Sequence, residues 1–371
     1  MTEAGGEAAS CSLDRVAIDT HAPPIPDSPL LARHTTLRVG GPAERFVVAR
    51  TERELIDIVT DCDRRDEAVL VLGGGSNLLV SDAGFPGTVV RVGTTGITAD
   101  VSDCGGAAVR VAAGENWDTF VAHTVANGWS GIEMLSGIPG SVGATPIQNV
   151  GAYGSDVAET ITSVRTWDRK ERAQRTFPLT DCGFGYRTSR FKREPGRYLV
   201  LEVGFQFRLG SLGAPIRYAE LAGRLDTAPG GRVDATRVRE TVLAIRRSKG
   251  MVLDEADHDS WSAGSFFTNP ILGADEAAAL PPEAPRFPDA DGRIKSSAAW
   301  LIQHAGFAKG HGDGQARLSG KHVLALTNRG SATAADLVAL AAEVRDGVAA
   351  CFGIRLVPEV NLVGTALPDL K

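Results

Sequence analysis

The sequence predicts an α+β protein of two or three domains, and three observations carry that expectation. A strand–helix–strand pattern over residues 46–72 runs into a glycine turn, Gly73-Gly74-Gly75-Ser76-Asn77. Residues 85–207 are dominated by strand-like segments separated by Gly and Asp. The pattern loosens after Ser211, and the last third carries a long amphipathic helix. At 371 residues, 43% apolar and 23% charged, the chain has material for more than one hydrophobic core.

Taken in order, residues 1–28 hold Ala, Gly, Pro and Ser with little periodicity and are read as a mobile tail. Structure is expected to begin near Thr35-Thr36-Leu37-Arg38-Val39-Gly40-Gly41-Pro42-Ala43, and Phe46-Val47-Val48 reads as a short strand. Thr51-Glu52-Arg53-Glu54 is a capping box: the threonine hydroxyl can accept a backbone N–H of the first turn while Glu54 reaches back. Leu55, Ile56, Ile58 and Val59 give the helix that follows its apolar face. Ala68–Leu72 reads as a buried strand, and Thr88–Val92 and Ala108–Ala112 as further strands. Trp117–Asn127 is a helix, and Ile161–Trp167 and Tyr198–Phe207 are strands. A helix runs over Asp234–Ser248, with a domain boundary expected between residues 208 and 235. Thr333–Phe352 is a capped helix with Leu337, Leu340, Ala341, Val344 and Val348 on one face; Gly353 stops it, and Ile354–Val363 is expected to be a strand.

Residues 131–154, GIEMLSGIPGSVGATPIQNVGAYG, hold six glycines and two prolines but one charged residue, Glu133. Glycine this dense weakens helices and strands, so it points to positive-φ turns or to backbone approaching a ligand closely. The GGGSN turn is a second such stretch. Two neutral, amide-rich loops suit an anion held by backbone N–H groups, such as a pyrophosphate. Two tight turns are the plain alternative, and for GGGSN alone the stronger one; both loops in one chain point to a large phosphate-bearing cofactor. No GxGxxG opens a helix, which excludes a Rossmann-type dinucleotide site. Gly314 to Gly320-Lys321-His322 has the wrong spacing for a P-loop and lacks Ser or Thr after the lysine.

The net charge of −6, without any Lys/Arg-rich run, argues against nucleic acid as a partner. No apolar run approaches the roughly 18 residues of a membrane helix. The N-terminus also lacks a basic region followed by a hydrophobic one, so a cytoplasmic location is expected. Five cysteines, scattered and never in a CxxC pair, argue against a disulfide framework or a structural zinc site.

Six motifs in one order carry a family resemblance: TTLRVGGPA, VLGGGSNLLV, SGIPGSVGATPIQNVGAYG, GFGYRTSRFK, SAGSFFTNP and KSSAAWLIQHAGFAKG. Together, over residues 34–363, they resemble the UDP-N-acetylenolpyruvoylglucosamine reductases. The resemblance implies an α+β fold with an FAD-binding part of the vanillyl-alcohol-oxidase (PCMH) type in two subdomains, residues 29–94 and 95–220. A C-terminal α+β substrate-binding domain, residues 221–371, would follow. It implies non-covalent FAD, with NADPH as co-substrate, and reduction of an enolpyruvyl ether on UDP-N-acetylglucosamine to UDP-N-acetylmuramate in peptidoglycan precursor synthesis. One pocket would serve NADPH and the UDP-sugar in turn, in a monomer, with no metal.

That chemistry needs a cation at the substrate carboxylate and a proton donor facing away from the flavin. By resemblance Arg187 in GYRTS takes the carboxylate, where its fork suits a planar anion. A surface or interdomain salt bridge is what an isolated arginine would suggest. Ser265 in AGSFF matches the proton donor; an isolated Gly-Ser would suggest a cap or turn. Glu359 in LVPEVNLVG matches a glutamate that assists the intermediate, and a glutamate within an apolar strand is costly unless paired or protonated. Tyr186 is open between packing and substrate contact. Lys249 and Asn269 match substrate-contacting positions, and Tyr218 in IRYAEL matches a loop tyrosine that covers the UDP in one subclass. Gln303 is open between a uridine or phosphate contact and packing. The flavin is expected against Gly73, Gly74, Gly75, Ser76, Asn77 and Leu78. On the other side lie Ser136, Gly137, Ile138, Pro139, Gly140, Ser141 and Gly143, with Gly151, Ala152 and Tyr153 completing the site.

Residues 250–264 separate Lys249 from Ser265 and include Asp254, Glu255, Asp257, His258 and Asp259, a stretch longer than the shorter family members carry. It is read as a solvated acidic loop, since its ligand spacing fits no metal site. His304, His311 and His322 are read as structural or surface residues, being in no triad-like setting. Two rival readings stay open: a flavin oxidase of the same fold that uses oxygen, and a UDP-sugar-binding regulator that has lost catalysis.

Overall fold

The computed structural model describes residues 14–18, 24–288 and 292–370. Strands Ala43–Ala49, Phe85–Val92 and Val69–Leu72 form an all-parallel sheet with Phe85–Val92 in the middle. The connecting helix Glu52–Arg64 starts where the capping box puts it. Thr51 Oγ1 accepts the N–H of Glu54 at 3.2 Å, and the Glu54 carboxylate takes the N–H groups of Arg50 and Thr51. Leu55, Val59 and Cys62 turn inward. Because the strands are parallel, the glycine turn after Leu72 and the end of Phe85–Val92 lie along one edge of the sheet, where α/β sheets hold ligands.

The middle of the chain is an antiparallel sheet in the order Asp14–Ile18, Ile97–Ser102, Gly106–Ala112, Tyr198–Leu209, Ile161–Asp168, Ala173–Pro178. Helix Trp117–Ala126 packs on it through Trp117 and Phe120; Phe120 and Phe205 have ring centroids 5.2 Å apart. The first strand falls within the expected mobile tail. Asp14 to Ile18 instead pair with Val101 to Ile97, and Arg15 meets Asp100 at 2.9 Å. Backbone ladder bonds hold this edge strand while its first four residues stay exposed, so no hydrophobic period betrays it. Residues 24–28 are also ordered, and Ile25 lines a cavity with Gly74 and Gly140. The remainder of the tail expectation, residues 1–13 and 19–23, lies outside the described residues.

Helices Ala219–Arg224 and Ala235–Ser248 form a small core of their own with Met134 and Ile216, through Leu221, Leu225, Val238, Val242 and Ile245. The expected boundary at 221 therefore falls inside a packed unit, and the core of the last part begins at Phe266. There, helix Ala334–Phe352 packs on helix Ala298–His304 and on the hairpin Ala316–Leu318 with Leu326–Asn328. Thr333 caps it, and Gly353 closes it at φ 67°, a left-handed conformation that glycine adopts without strain. Leu37, Val39 and Leu79 join this core from the first part, which couples the two ends of the chain.

The expected strand Ile354–Val363 shrinks to Asn361–Val363, parallel to Leu78–Val80. The chain before it pairs elsewhere: Pro358 bridges Phe267 antiparallel, flanked by Thr268 N–H to Val357 O at 3.0 Å and Glu359 N–H to Phe266 O at 2.8 Å. Glu359 thus precedes the strand and is not inside it. Cys104 is disulfide-bonded; Cys62 and Cys182 are buried free thiols and Cys351 is exposed. Among the described residues no helix is long and apolar enough to cross a membrane.

Candidate active site

The two glycine stretches meet. A Cβ on Gly74 would run into the backbone of Gly140, and Ser76 Oγ donates to the Pro139 carbonyl at 2.8 Å. A groove of about 340 Å³ runs between them, lined by Gly74 on one side and Gly137 to Ser141 on the other. Thr36, Ile138, Pro139 and Leu253 separate it from a second cleft of about 410 Å³, and belong to both. Gly74, Ser76, Asn77, Gly137, Ile138, Pro139, Gly140, Ser141, Gly151, Ala152 and Tyr153 line one or both cavities as expected of cofactor contacts.

Five expected contacts do not line these two cavities. Ser136 is buried, with Oγ on the Glu133 carbonyl at 2.6 Å. Gly143 gives its N–H to Ala113 at 2.8 Å and packs beneath the groove, and Gly73 faces the same layer. Gly75 accepts from the Thr36 N–H at 3.1 Å, and Leu78 belongs to a strand. These residues shape the two turns from outside the lining of both cavities. The Gly137 N–H is also committed, to Asp118 Oδ1 at 2.6 Å. The N–H groups of Gly74, Gly75, Ser76, Ile138, Gly140 and Ser141 make no hydrogen bond among the described residues. Such a set suits a phosphate ester better than a metal. Among the described residues no group of His, Cys, Asp and Glu could hold a metal ion.

The second cleft gathers the expected catalytic residues. Arg187 sits in the left-handed region at φ 51°, its Nε 2.9 Å from Glu359 Oε1. That N–H is not aimed at the carboxylate and makes no hydrogen bond, so the contact is Coulombic. Glu359 is held from behind: its backbone N–H bonds Phe266 O at 2.8 Å, and its own carbonyl accepts from Asn77 Nδ2 at 3.1 Å. Burial pushes the Glu359 carboxyl above the ordinary carboxylate range, while Arg187 and Lys192 draw it back. Ser265 precedes Phe266 and therefore lies beside Glu359. It lines the cleft, and its hydroxyl has no hydrogen-bond partner among the described residues. Gly264, at φ 73°, makes the bend that turns Ser265 inward.

Gln148 and Lys192 belong to this centre and were not singled out from the sequence. Gln148 Oε1 accepts from Asn77 Nδ2 at 3.1 Å and from Lys192 Nζ at 3.5 Å, while its Nε2 donates to Glu359 Oε1 at 3.3 Å. Lys192 Nζ also bonds the Arg187 carbonyl at 3.1 Å, and burial pulls it below the ordinary lysine range. The available signal was the placement of Gln148 and Lys192 inside two of the six motifs, as polar groups among apolar and glycine neighbours.

Of the expected substrate residues, Tyr218 and Lys249 line the cleft. Tyr218 packs edge-on to Tyr153 at 5.5 Å, and Lys249 Nζ is paired with Glu220 Oε2 at 2.8 Å. Tyr186 lies next to Arg187, with its hydroxyl at Asn269 and Lys295 over its ring at 4.8 Å. Asn269 holds the start of helix Ala298–His304, accepting the Ala298 N–H at 2.9 Å; neither residue lines the cleft. Gln303 is exposed: the register that turns Leu301 and Ile302 into the core turns it to solvent, away from the site. His322, read as structural or surface, does line the cleft; burial, with repulsion from Lys249 and Lys309, pulls its pKa down to about 4. His304 stacks on Trp300 and His311 pairs with Glu343, as structural residues would.

The acidic stretch is engaged more than a solvated loop would be. Asp257 meets Lys321 at 2.6 Å, and Asp259 takes Arg329 at 2.8 Å and the Gly320 N–H at 2.9 Å. These pairs tie residues 254–259 to the C-terminal part and so hold Val252 and Leu253 over the groove.

Comparison with known proteins gives two family-model matches: an FAD binding domain over residues 43–176, and the UDP-N-acetylenolpyruvoylglucosamine reductase C-terminal domain over residues 255–363. A UDP-N-acetylenolpyruvoylglucosamine reductase of Cutibacterium acnes is 60% identical over 340 residues, covering 91% of this chain and 90% of its own. That of Thermobifida fusca is 54% identical over 347 residues, covering 91% and 97%. The crystal structure of the reductase from Thermus caldophilus aligns with a TM-score of 0.62 at 25% identity, covering 95% of this chain and 99% of its own. The fold is the one the motifs implied in its outline: α+β, an FAD-binding part with a C-terminal α+β part.

Proposed function

The chain belongs to the UDP-N-acetylenolpyruvoylglucosamine reductase family of FAD oxidoreductases, and from that premise we propose its reaction. It reduces the enolpyruvyl ether of UDP-N-acetylglucosamine-enolpyruvate to UDP-N-acetylmuramate, with NADPH as electron source, in cytoplasmic peptidoglycan precursor synthesis. The observation that supports this reading most is one cleft holding an arginine, a largely buried glutamate and an unengaged serine beside the glycine groove. FAD, when bound, supplies the two-electron relay from NADPH to the methylene carbon of the enolpyruvyl group. The groove fits that cofactor: unengaged backbone N–H groups of Gly74, Ser76, Gly140 and Ser141 would hold its phosphates.

As the methylene carbon gains a hydride, charge moves onto the substrate carboxylate. The Arg187 guanidinium, held in place by Glu359 and with its Nε–H unsatisfied, would bind that carboxylate and stabilise the growing charge. A serine is a weak acid, so Ser265 can protonate the neighbouring carbon only because that centre has become strongly basic. Glu359, raised by burial and beside Ser265, supports that transfer, and Gln148 and Lys192 fix its orientation. Lys249 is set to exchange Glu220 for a phosphate of the UDP moiety, with Tyr218 against the nucleotide. The same cleft serves NADPH before the UDP-sugar.

Steady-state turnover tests the reading. NADPH oxidation should depend on added UDP-N-acetylglucosamine-enolpyruvate, and the product should be heavier by two hydrogens. Flavin that NADPH leaves oxidised, but that an alcohol or hydroxy acid reduces and oxygen reoxidises, would favour the oxidase instead.

A further inference from the structure

We propose that Arg91 is the cation that binds the pyrophosphate of FAD in this chain, complementing the backbone N–H groups of the glycine loops. This rests on the flavin reading of the groove. Arg91 is the penultimate residue of the central parallel strand, opposite Val48 and Leu72, beside the glycine turn. Val90 and Val92 face one core from this strand; Val89, on the opposite face with Arg91, packs against Leu31, Leu72 and Val80. Beyond that layer Arg91 enters the groove with Thr36, Gly74 and the Gly137–Ser141 loop.

The guanidinium is largely enclosed there and has no counter-ion among the described residues. Its Nη1 is fully enclosed and makes no hydrogen bond. Burial alone lowers its pKa, to about 10, with no carboxylate opposing the shift, so the side chain keeps its charge at neutral pH. Asp118 also lines the groove, but Arg239 occupies it at 2.6 and 3.0 Å together with the Gly137 N–H. His34 is itself pushed down by burial and by Arg91, and Glu115, between the lining residues Gly114 and Asn116, accepts the Gly96 N–H at 2.6 Å. An unpaired buried cation is costly, and a bound anion removes that cost. A guanidinium lining the same groove as the residues that carry free N–H groups, at the carboxyl edge of a parallel sheet, matches a pyrophosphate.

The test compares FAD with riboflavin, which has the ring but no phosphate, on flavin-free wild-type protein and Arg91→Met. The variant should bind FAD about 10- to 100-fold more weakly and riboflavin as the wild type does. Its flavin-free thermal midpoint should equal or exceed that of the wild type, because a buried unpaired charge is gone, while the rise produced by FAD should shrink. Equal FAD affinity in both proteins overturns the proposal. So does equal weakening for both flavins with a lower flavin-free midpoint, which marks a structural residue. Arg91→Lys, keeping charge without the fork, should fall between the two, and it serves the same comparison if the methionine variant does not fold. Wild-type protein that binds neither flavin would overturn the reading of the groove itself.

Discussion

His322 offers a prediction whose size follows from its surroundings. Its side chain lies in the cleft, near Lys249 and Lys309, and its pKa falls from 6.5 to about 4. The folded protein therefore prefers the neutral ring, and unfolding takes up a proton at any pH between those values. The advantage is complete above pH 6.5 and is lost as pH falls towards about 4. At about 1.36 kcal/mol per pH unit the whole span is worth roughly 3.4 kcal/mol, of which about 2 kcal/mol has gone by about pH 5. Replacing the ring by a side chain that does not titrate, His322→Asn, removes this component. Urea unfolding of the FAD-loaded proteins, followed by tryptophan fluorescence at about pH 7.5 and about pH 5, measures it. The wild type should lose about 2 kcal/mol more than the variant between the two conditions. Carboxylates elsewhere titrate alike in both proteins and cancel in the comparison. Equal losses would show that the ring is hydrated and would refute the burial argument.

Further expectations concern the reacting centre. Ser265→Ala should leave flavin reduction by NADPH at the wild-type rate and slow reoxidation by the UDP-sugar by about 10²- to 10⁴-fold, as measured by anaerobic stopped flow. Equal losses in both half-reactions would take the proton-donor role from Ser265. Arg187→Ala should slow reoxidation at least about 10²-fold and spare reduction; unchanged turnover would leave Arg187 only its ion pair with Glu359. Gln148→Leu strips Asn77, Lys192 and Glu359 of their common partner, and thermal unfolding should report a loss of about 1–3 kcal/mol together with slower reoxidation. A variant as stable and as active as the wild type would make Gln148 a bystander.

Much of the fold was legible because local chemistry and packing agree. The Thr51–Glu54 box, the inward stripe of Ala334–Phe352 and its glycine stop each mark an element that the structure contains. Elements held by backbone pairing alone were not legible: Asp14–Ile18 and Ala173–Pro178 are mostly exposed edge strands, so burial imposes no period on them. The last strand is short because residues 357–359 pair with 266–268 before 361–363 join Leu78–Val80, a change of partner that an apolar count does not register. At the site, the motifs carried Arg187, Ser265 and Glu359, but not the partners that hold them. Gln148 reaches Asn77, Lys192 and Glu359 from three distant parts of the chain, a convergence visible only after folding. Arg91 and His322 stayed hidden for a related reason: a strand arginine and a loop histidine look ordinary until their burial and missing partners are known. The glycines divided according to where each N–H points, and Gly143 and Gly137 had theirs already committed.

The most direct measurement keeps oxygen out. The FAD-loaded protein is reduced with NADPH until its yellow colour is gone, and UDP-N-acetylglucosamine-enolpyruvate is then added. A cleft in which Arg187 and Ser265 face an enolpyruvyl group predicts prompt return of the flavin absorbance, one equivalent of UDP-sugar reduced per flavin. Absorbance that stays bleached after the addition, or that NADPH never bleaches, would contradict it.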